Sequence, residues 1–293
     1  MTLAPMPATI RRVAFLGTPE IAVPALVALV EAGFEVPIVV SGADKRRGRG
    51  RSTSPTPVKA RALELGLDVT TEVDAVLEHD VDLAVVVAFG QLIRPHVLAE
   101  VPMVNIHFSP LPRWRGAAPI ERAILAGDTT TAVTIMTVAE GLDEGNVHAQ
   151  LDVPMEASAT TASLWSELSV VGAGLLISTL EQGLDDGEPQ VGDVVYAHKL
   201  RTDDRRVDWS GSATQVDRVV RVGGAWTTFR GERFKIHEVE VVDGSGPAGT
   251  MQNDTVLTPN GGIRLVTVQP AGKPRMSAMD WRNGAQPDGE SFE

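Results

Sequence analysis

The chain has 293 residues, a net charge of −12, 43 % apolar and 4 % aromatic residues, and no cysteine. The missing thiols exclude a cysteine nucleophile, disulfides and cysteine-based zinc sites. The acidic balance makes the chain a poor general nucleic-acid binder, because phosphate contacts need Lys and Arg; any such role must rest on a local basic patch.

The length points to two domains, and the few aromatics to a core made mostly of Val, Leu, Ile and Ala. The opening "MTLAPMPATIRR" has no apolar h-region of a signal peptide. No uninterrupted run of about 18 apolar residues marks a membrane span. A soluble, cytoplasmic monomer is the expectation.

In chain order, "RVAFLG" (Arg12–Gly17) is a short apolar run and predicts a buried strand. "PEIAVPALVALVEAG" predicts a helix with Thr18 as N-cap, Gly33 as its stop, and a kink or restart at Pro24. "VPIVVSG" (Val36–Gly42) predicts a second strand, and "PVKARALELG" a helix ending at Gly66. From the end of that strand into this helix, seven basic residues and no acid occur from Lys45 to Arg61. Lys45, Arg46, Arg47, Arg49 and Arg51 sit among Gly48, Gly50, Pro55 and Pro57, so an exposed loop is predicted. Such a run either solubilises the surface or meets a phosphate backbone.

"DLAVVVAFG" (Asp82–Gly90) reads as a central strand, "MVNIHFS" (Met103–Ser109) as the next, and "AVTIMTV" (Ala132–Val138) follows a helix at "PIERAILAGD". Continuously apolar strands separated by helices imply a mostly parallel sheet covered on both faces, with ligands bound beyond the carboxyl ends of its strands. A long helix from about Thr161 to Leu184 precedes a connector, "DDGEPQVGD". After Val207 one short helix, "ATQVDRVVR", is followed by short strand-like runs with Gly and Pro between them, the texture of a small barrel or sandwich. The domains are placed at 1–189 and 207–293, with 190–206 as linker.

Several motifs fail. "GSGPAG" (Gly244–Gly249) matches G-x-G-x-x-G literally, but it lies among β segments, contains Pro247 and precedes no helix. Gly272-Lys273 is followed by Pro274, so there is no P-loop. The six histidines lack metal-ligand spacing, and G-x-S-x-G is absent.

What remains is Asn105 and His107 near a strand end, then "GLDEGN" (Gly141–Asn146) after the following strand. Residues i and i+2 of a strand share a face, so the amide and imidazole project together. Asp143 lies in a glycine-bounded loop near a strand that can be adjacent. A carboxylate beside an imidazole orients it and raises its basicity, and an amide N–H with an imidazolium stabilises an oxyanion. The set suits acyl-type transfer through a tetrahedral intermediate; each piece alone also fits a tight turn or a satisfied buried histidine.

"FLGTPEIAVPAL", "VVVAFGQLIRPHVL", "NIHFSPLPRWRGAAPIERAILAGD", "VTIMTVAEGLDEGNV", "RVDWS" and "GAWTTFRGERFKI" closely resemble the methionyl-tRNA formyltransferases over nearly the whole chain. The resemblance implies a Rossmann-like formyltransferase domain followed by a C-terminal OB-like β-barrel. It implies transfer of a formyl group from 10-formyltetrahydrofolate to the α-amino group of methionine on initiator tRNA, with no metal. It carries the catalytic roles to Asn105, His107 and Asp143. It assigns folate contacts to Ser109, Pro110, Leu111 and Pro112, with "SPLP" standing for the usual S-L-L-P, and tRNA contacts to Lys45, Arg46, Arg47, Arg49 and Arg51. The prolines of "SPLP" are expected to keep carbonyls free for a pterin ring. Two departures stand out. From Val207 onward there are nine basic and eleven acidic residues, which is no basic platform by net charge. "DRVVRVGGAWTTF" is also shorter than the family's pattern, which carries a proline-containing segment there. The alternatives are a sugar-nucleotide N-formyltransferase and a catalytically silent RNA-binding relative.

Overall fold

A computed structural model describes residues 2–46 and 53–293. The chain divides into two compact units. The first comprises Met1–Pro119, Thr130–Pro154 and Leu164–Ala197; the second, Ile120–Thr129, Met155–Ser163 and His198–Glu293.

In the first unit, β1 (Val13–Gly17), β2 (Val39–Val40), β5 (Val69–Thr70), β6 (Leu83–Val87) and β7 (Met103–His107) form a parallel array in the order β5-β2-β1-β6-β7. All residues of β1 and β6 are buried, as both-face coverage demands. This is the doubly wound order, with its switch point between β1 and β6. A small antiparallel pair, β3 (Lys45–Arg46) and β4 (Thr53–Ser54), lies between β2 and β5 in sequence.

The helix after β1 begins as a 3-10 turn (Glu20–Ala22) and restarts as α1 (Val23–Glu31), with Pro24 in the first turn where its missing N–H costs nothing. Thr18 is not its cap: that hydroxyl accepts from the Gly42 N–H at 3.1 Å and ties two loops together. In α2 (Pro57–Glu64), Thr56 does cap, accepting from the Lys59 N–H. Leu16, Val40, Ala84, Val86 and Met103 pack with Val97 and Leu98 of α3 (Pro95–Glu100) in one buried cluster.

The sheet departs from parallel at one edge. β9 (Thr130–Thr137) runs antiparallel to β7, and β10 (Val147–Pro154) antiparallel to β9. A short pair, β8 (Arg113–Arg115) and β11 (Val195–Tyr196), ties the segment after β7 to the end of this unit.

The helix α5 (Thr161–Gln182) is long and apolar enough by length and composition to cross a membrane, which counting uninterrupted apolar runs overlooks. Its Leu164, Leu168, Leu176 and Leu180 are buried, the pattern of a core helix. Gly172 lets it approach β7: a Cβ there would sit 3.1 Å from Ile106 and 3.5 Å from Phe108.

The second unit is a curled antiparallel sheet, a half-barrel of the expected OB-like type. Its order is β12 (Trp226–Phe229), β13 (Glu232–Val242), β16 (Gly262–Pro270), β15 (Thr255–Leu257), β14 (Met251–Gln252), with β17 (Met276–Ser277) on β16. The helix α4 (Pro119–Ala126) lies mostly in this unit. A Ser212–Gln215 capping box starts α6 (Ala213–Val222), and Ser277 caps α7 (Ala278–Ala285). The short connection from α6 to β12 closes through Gly223 and Gly224, both at positive φ, a turn glycine makes without strain. Although aromatics are scarce, this core concentrates them. Trp209, Phe229, Phe234, Trp281 and Phe292 pack with ring centroids 4.8 to 6.1 Å apart.

Candidate active site

The site starts from the alternation of β7. Ile106 and Phe108 face α5, so Asn105 and His107 point to the opposite side. There they line a cleft of about 580 Å³ with Phe89, Leu92, Leu142 and Asp143, at the carboxyl ends of β6 and β7. Asn105 makes no side-chain hydrogen bond to any described residue, which leaves its carboxamide for a ligand. His107 is 5 % exposed, and its orientation is set by the backbone. Its Nε2 lies 2.9 Å from the Trp114 carbonyl oxygen. A carbonyl can only accept, so Nε2 carries a hydrogen and Nδ1 is the nitrogen left for chemistry.

Asp143 reaches Nδ1 by an indirect route. Because β9 is antiparallel, its last residue, Thr137, pairs with Val104, while His107 pairs with Thr134. The loop after β9 therefore leaves at the far end of β7 and runs back before Asp143 Oδ2 comes within 3.6 Å of His107 Nδ1. Asp143 adopts φ +50°, a left-handed conformation that a non-glycine residue holds only when its surroundings enforce it. The Gly116 N–H donates to Asp143 Oδ2 at 2.7 Å. The second glycine of "GLDEGN" is required by space: a Cβ on Gly145 would run into the Thr137 carbonyl. Gln190 donates from Nε2 to the carbonyls of Asp143 and Gly145, both at 2.8 Å, and accepts from Arg115 at 2.7 and 3.0 Å.

Asn105, His107 and Asp143 are thus brought together. Ser109, Pro110, Leu111 and Pro112 are not among the residues lining that cleft. Ser109 is fully buried; its hydroxyl donates to the Arg113 carbonyl and its own carbonyl accepts from Thr134 Oγ1. The carbonyls of Pro110 and Pro112 accept from the N–H groups of Arg113 and Val195. The Leu111–Pro112 bond is cis. The stretch shapes the turn behind His107 and Trp114, and most of its carbonyls are already occupied. Sequence reasoning missed the cleft's other wall, formed by Ala88–Ile93 and Val138–Leu142; the exposed Leu92 and Leu142, 84 % and 61 %, were its only local trace. Gln190 had no signal beyond its place in a Gly- and Pro-containing connector.

Of the basic loop, Lys45 and Arg46 form β3, while Arg47, Arg49 and Arg51 lie outside the described residues. The second unit, acidic by count, sorts its charges by strand alternation. Phe234 and Ile236 are buried, which puts Arg233, Lys235 and His237 on the outer face. Lys235 pairs in register with Trp226. Arg206 and Arg233 lie over the Trp226 ring at 5.5 and 4.3 Å, and Arg275 donates to His237 Nδ1. Burial pushes the His237 imidazole below its usual value, the Gln269 hydrogen bond opposes this, and Arg275 and Lys235 add to it.

The family model described as formyl transferase matches residues 11–180, and that described as formyl transferase, C-terminal domain, matches residues 199–286. The chain is 42 % identical to the methionyl-tRNA formyltransferase of Paenarthrobacter aurescens (strain TC1), covering 96 % of this chain and 100 % of that one. Among solved structures, it resembles the N-formyltransferase from Helicobacter canadensis in complex with folinic acid and dTDP-3-aminofucose. There the TM-score is 0.67 at 14 % identity, over 89 % of this chain and 100 % of that one. It also resembles HypX from Aquifex aeolicus in complex with tetrahydrofolic acid, with a TM-score of 0.66 at 19 % identity. That match covers 97 % of this chain but only about half, 49 %, of HypX. These two likenesses concern the fold alone.

Proposed function

Because the chain belongs to the methionyl-tRNA formyltransferases of the formyl transferase family, we infer that it formylates the α-amino group of methionine on initiator tRNA. The donor is 10-formyltetrahydrofolate, and the work is done in the cytoplasm by a monomer. The observation that carries the reading is the convergence of Asn105, His107 and Asp143 on one cleft at the carboxyl ends of β6 and β7. The catalytic body is taken as residues 1–189, joined through 190–206 to an RNA-facing body at 207–293.

The folate's formyl group lies between the amine and N10. The neutral amine attacks the formyl carbon; a C–N bond forms and the carbonyl oxygen gains negative charge. The Asn105 amide and a proton on His107 Nδ1 stabilise that oxyanion. Asp143 accepts the amine proton, directly or through water, and the pair with His107 passes it to N10 as the C–N10 bond breaks. The products are formylmethionyl-tRNA and tetrahydrofolate. The pterin lies along Ala88–Ile93 and Val138–Leu142, whose backbone groups offer donors and acceptors, with Leu92 and Leu142 as apolar lips; Ser109–Pro112 support it from behind.

For the tRNA, the basic run from Lys45 to Arg51 supplies phosphate contacts, and the Arg206–Trp226–Arg233–Lys235 face is a second cationic surface with an aromatic for stacking. The test is formylation of charged initiator tRNA beside a nucleotide-linked amino sugar, each with 10-formyltetrahydrofolate. Formylation of the tRNA alone is expected, and equal turnover of the sugar would replace this reading with the sugar-nucleotide one.

A further inference from the structure

Gln190 lies 47 residues from Asp143 and 75 from Arg115, yet its carboxamide bonds to both. Arg115 can only donate, so it fixes which end of the amide is oxygen; the Nε2 end is then presented to two carbonyls that can only accept. All four bonds fall between 2.7 and 3.0 Å. The two segments so joined are the ones that hold the reacting groups. Trp114, beside Arg115, gives its carbonyl to His107 Nε2, and the next residue, Gly116, gives its N–H to Asp143 Oδ2. The carbonyl that Gln190 holds is that of Asp143 itself, the residue at φ +50°.

The same connector is bound on both sides of Gln190. Its Glu188 exchanges backbone hydrogen bonds with Val147, Val195 N–H donates to the Pro112 carbonyl, and Ala197 bonds to Arg115, Ala117 and Ala118. Resting on the formyl-transfer reading above, we propose that Gln190 is a positioning residue of that reaction. It clamps the Asp143–Gly145 loop to Arg115 at the end of β8 and so holds the Asp143 carboxylate at His107 Nδ1. A carboxylate at position 190 keeps the size and the Arg115 partner but turns oxygen lone pairs toward two carbonyls. The Asp143 carbonyl is then repelled and its strained conformation released.

The test compares wild type, Gln190→Glu and the apolar near-isostere Gln190→Met. Formylation of methionyl-tRNA is followed at saturating 10-formyltetrahydrofolate from pH 6 to 9, with thermal unfolding measured in parallel. Both variants are expected to lose about ten- to a hundred-fold in kcat, the scale of a misplacement near 1 Å. KM for the tRNA is expected to stay within about threefold, the pH–kcat profile to be displaced, and the unfolding midpoint to be kept. Variants that turn over within about twofold of wild type on an unchanged pH profile overturn the proposal. So does a loss of kcat that follows a matching loss of thermal stability in both, which would make Gln190 scaffold only. Wild type separates the two levels of inference: if it formylates nothing, the formyl-transfer reading fails, and if it is active beside unimpaired variants, only the role of Gln190 fails.

Discussion

His107 Nδ1 and Asp143 Oδ2 face each other at 3.6 Å, although the strand that leads to Asp143 ends beside Val104 and not beside His107. The histidine is fixed by the Trp114 carbonyl and the aspartate by the Gly116 N–H and Gln190. Their separation is therefore set by two segments that meet only in the folded chain. The gap exceeds a direct hydrogen bond and is short enough for one bound water or a small shift to bridge.

Asn105 lines the cleft, and its side chain has no hydrogen-bond partner among the described residues. Removing it should cost transition-state stabilisation and little stability. Asn105→Ala is expected to lower kcat by about 10²–10³-fold, the usual loss for one oxyanion donor, with an unaltered unfolding midpoint. Steady-state kinetics and thermal melts on one preparation check this; a kcat near wild type would remove Asn105 from the chemistry.

Neutralising Arg46, Arg47 and Arg49 should act on tRNA binding. Each lost phosphate contact flattens the dependence of log affinity on log salt by about 0.7–0.9. The triple Gln variant is expected to raise KM for the tRNA and to show a slope shallower by about two to three. A salt dependence identical to wild type would assign the run to solubility alone.

His148 links the sheet edge to acid stability. Burial lowers its pKa, with Asp185 opposing, and its buried Nδ1 has no hydrogen-bond partner among the described residues. The unfolded chain, with an ordinary histidine pKa of about 6.5, then binds the proton more readily than the folded chain. Stability is therefore full above that value and declines as pH falls through it. Urea midpoints between pH 7.5 and 5.5 should drop for wild type and drop less for His148→Gln; His237, shifted in the same direction, supplies part of the remaining slope. Equal slopes would contradict the assignment.

Trp281 anchors the second core, with its ring 4.8 Å from Phe234 and 5.3 Å from Phe229. Trp281→Ala is expected to cost about 3–5 kcal/mol, the range for a buried aromatic truncated in a packed core. Chemical denaturation followed by tryptophan fluorescence at the remaining positions reads the loss, and a cost below about 1 kcal/mol would mean that the cluster repacks.

How far the sequence carried these features differs from residue to residue. The apolar runs of β1, β6 and β7 mark a buried parallel array, and the two-residue period of β7 alone puts Asn105 and His107 on one face. The direction of β9 was not legible, because a helix between two apolar strands normally returns a parallel strand, and burial alone does not encode direction. The strand β10, "VHAQLDVP", has one buried residue, Val153, and no apolar run to find. Its glycine-bounded loop marks Asp143 as a candidate in the sequence, but its return path follows from the antiparallel register. Three of the four carbonyls of "SPLP", both proline carbonyls among them, are already occupied, since a stretch with few N–H groups still receives hydrogen bonds from Thr134, Arg113 and Val195. Gln190 was invisible for the same reason as the cationic face around Trp226: both arise from pairings between residues distant in the chain.

Single-turnover formylation of methionyl-tRNA by wild type, His107→Ala and Asp143→Asn, with 10-formyltetrahydrofolate in excess, tests the catalytic trio most directly. Wild type should transfer the formyl group to the methionyl amine, and each variant should be slower by about 10²–10⁴-fold, the range of general acid–base catalysis, while unfolding as cooperatively as wild type. Wild-type rates in both variants, or no formylmethionyl-tRNA from the wild-type protein, would contradict it.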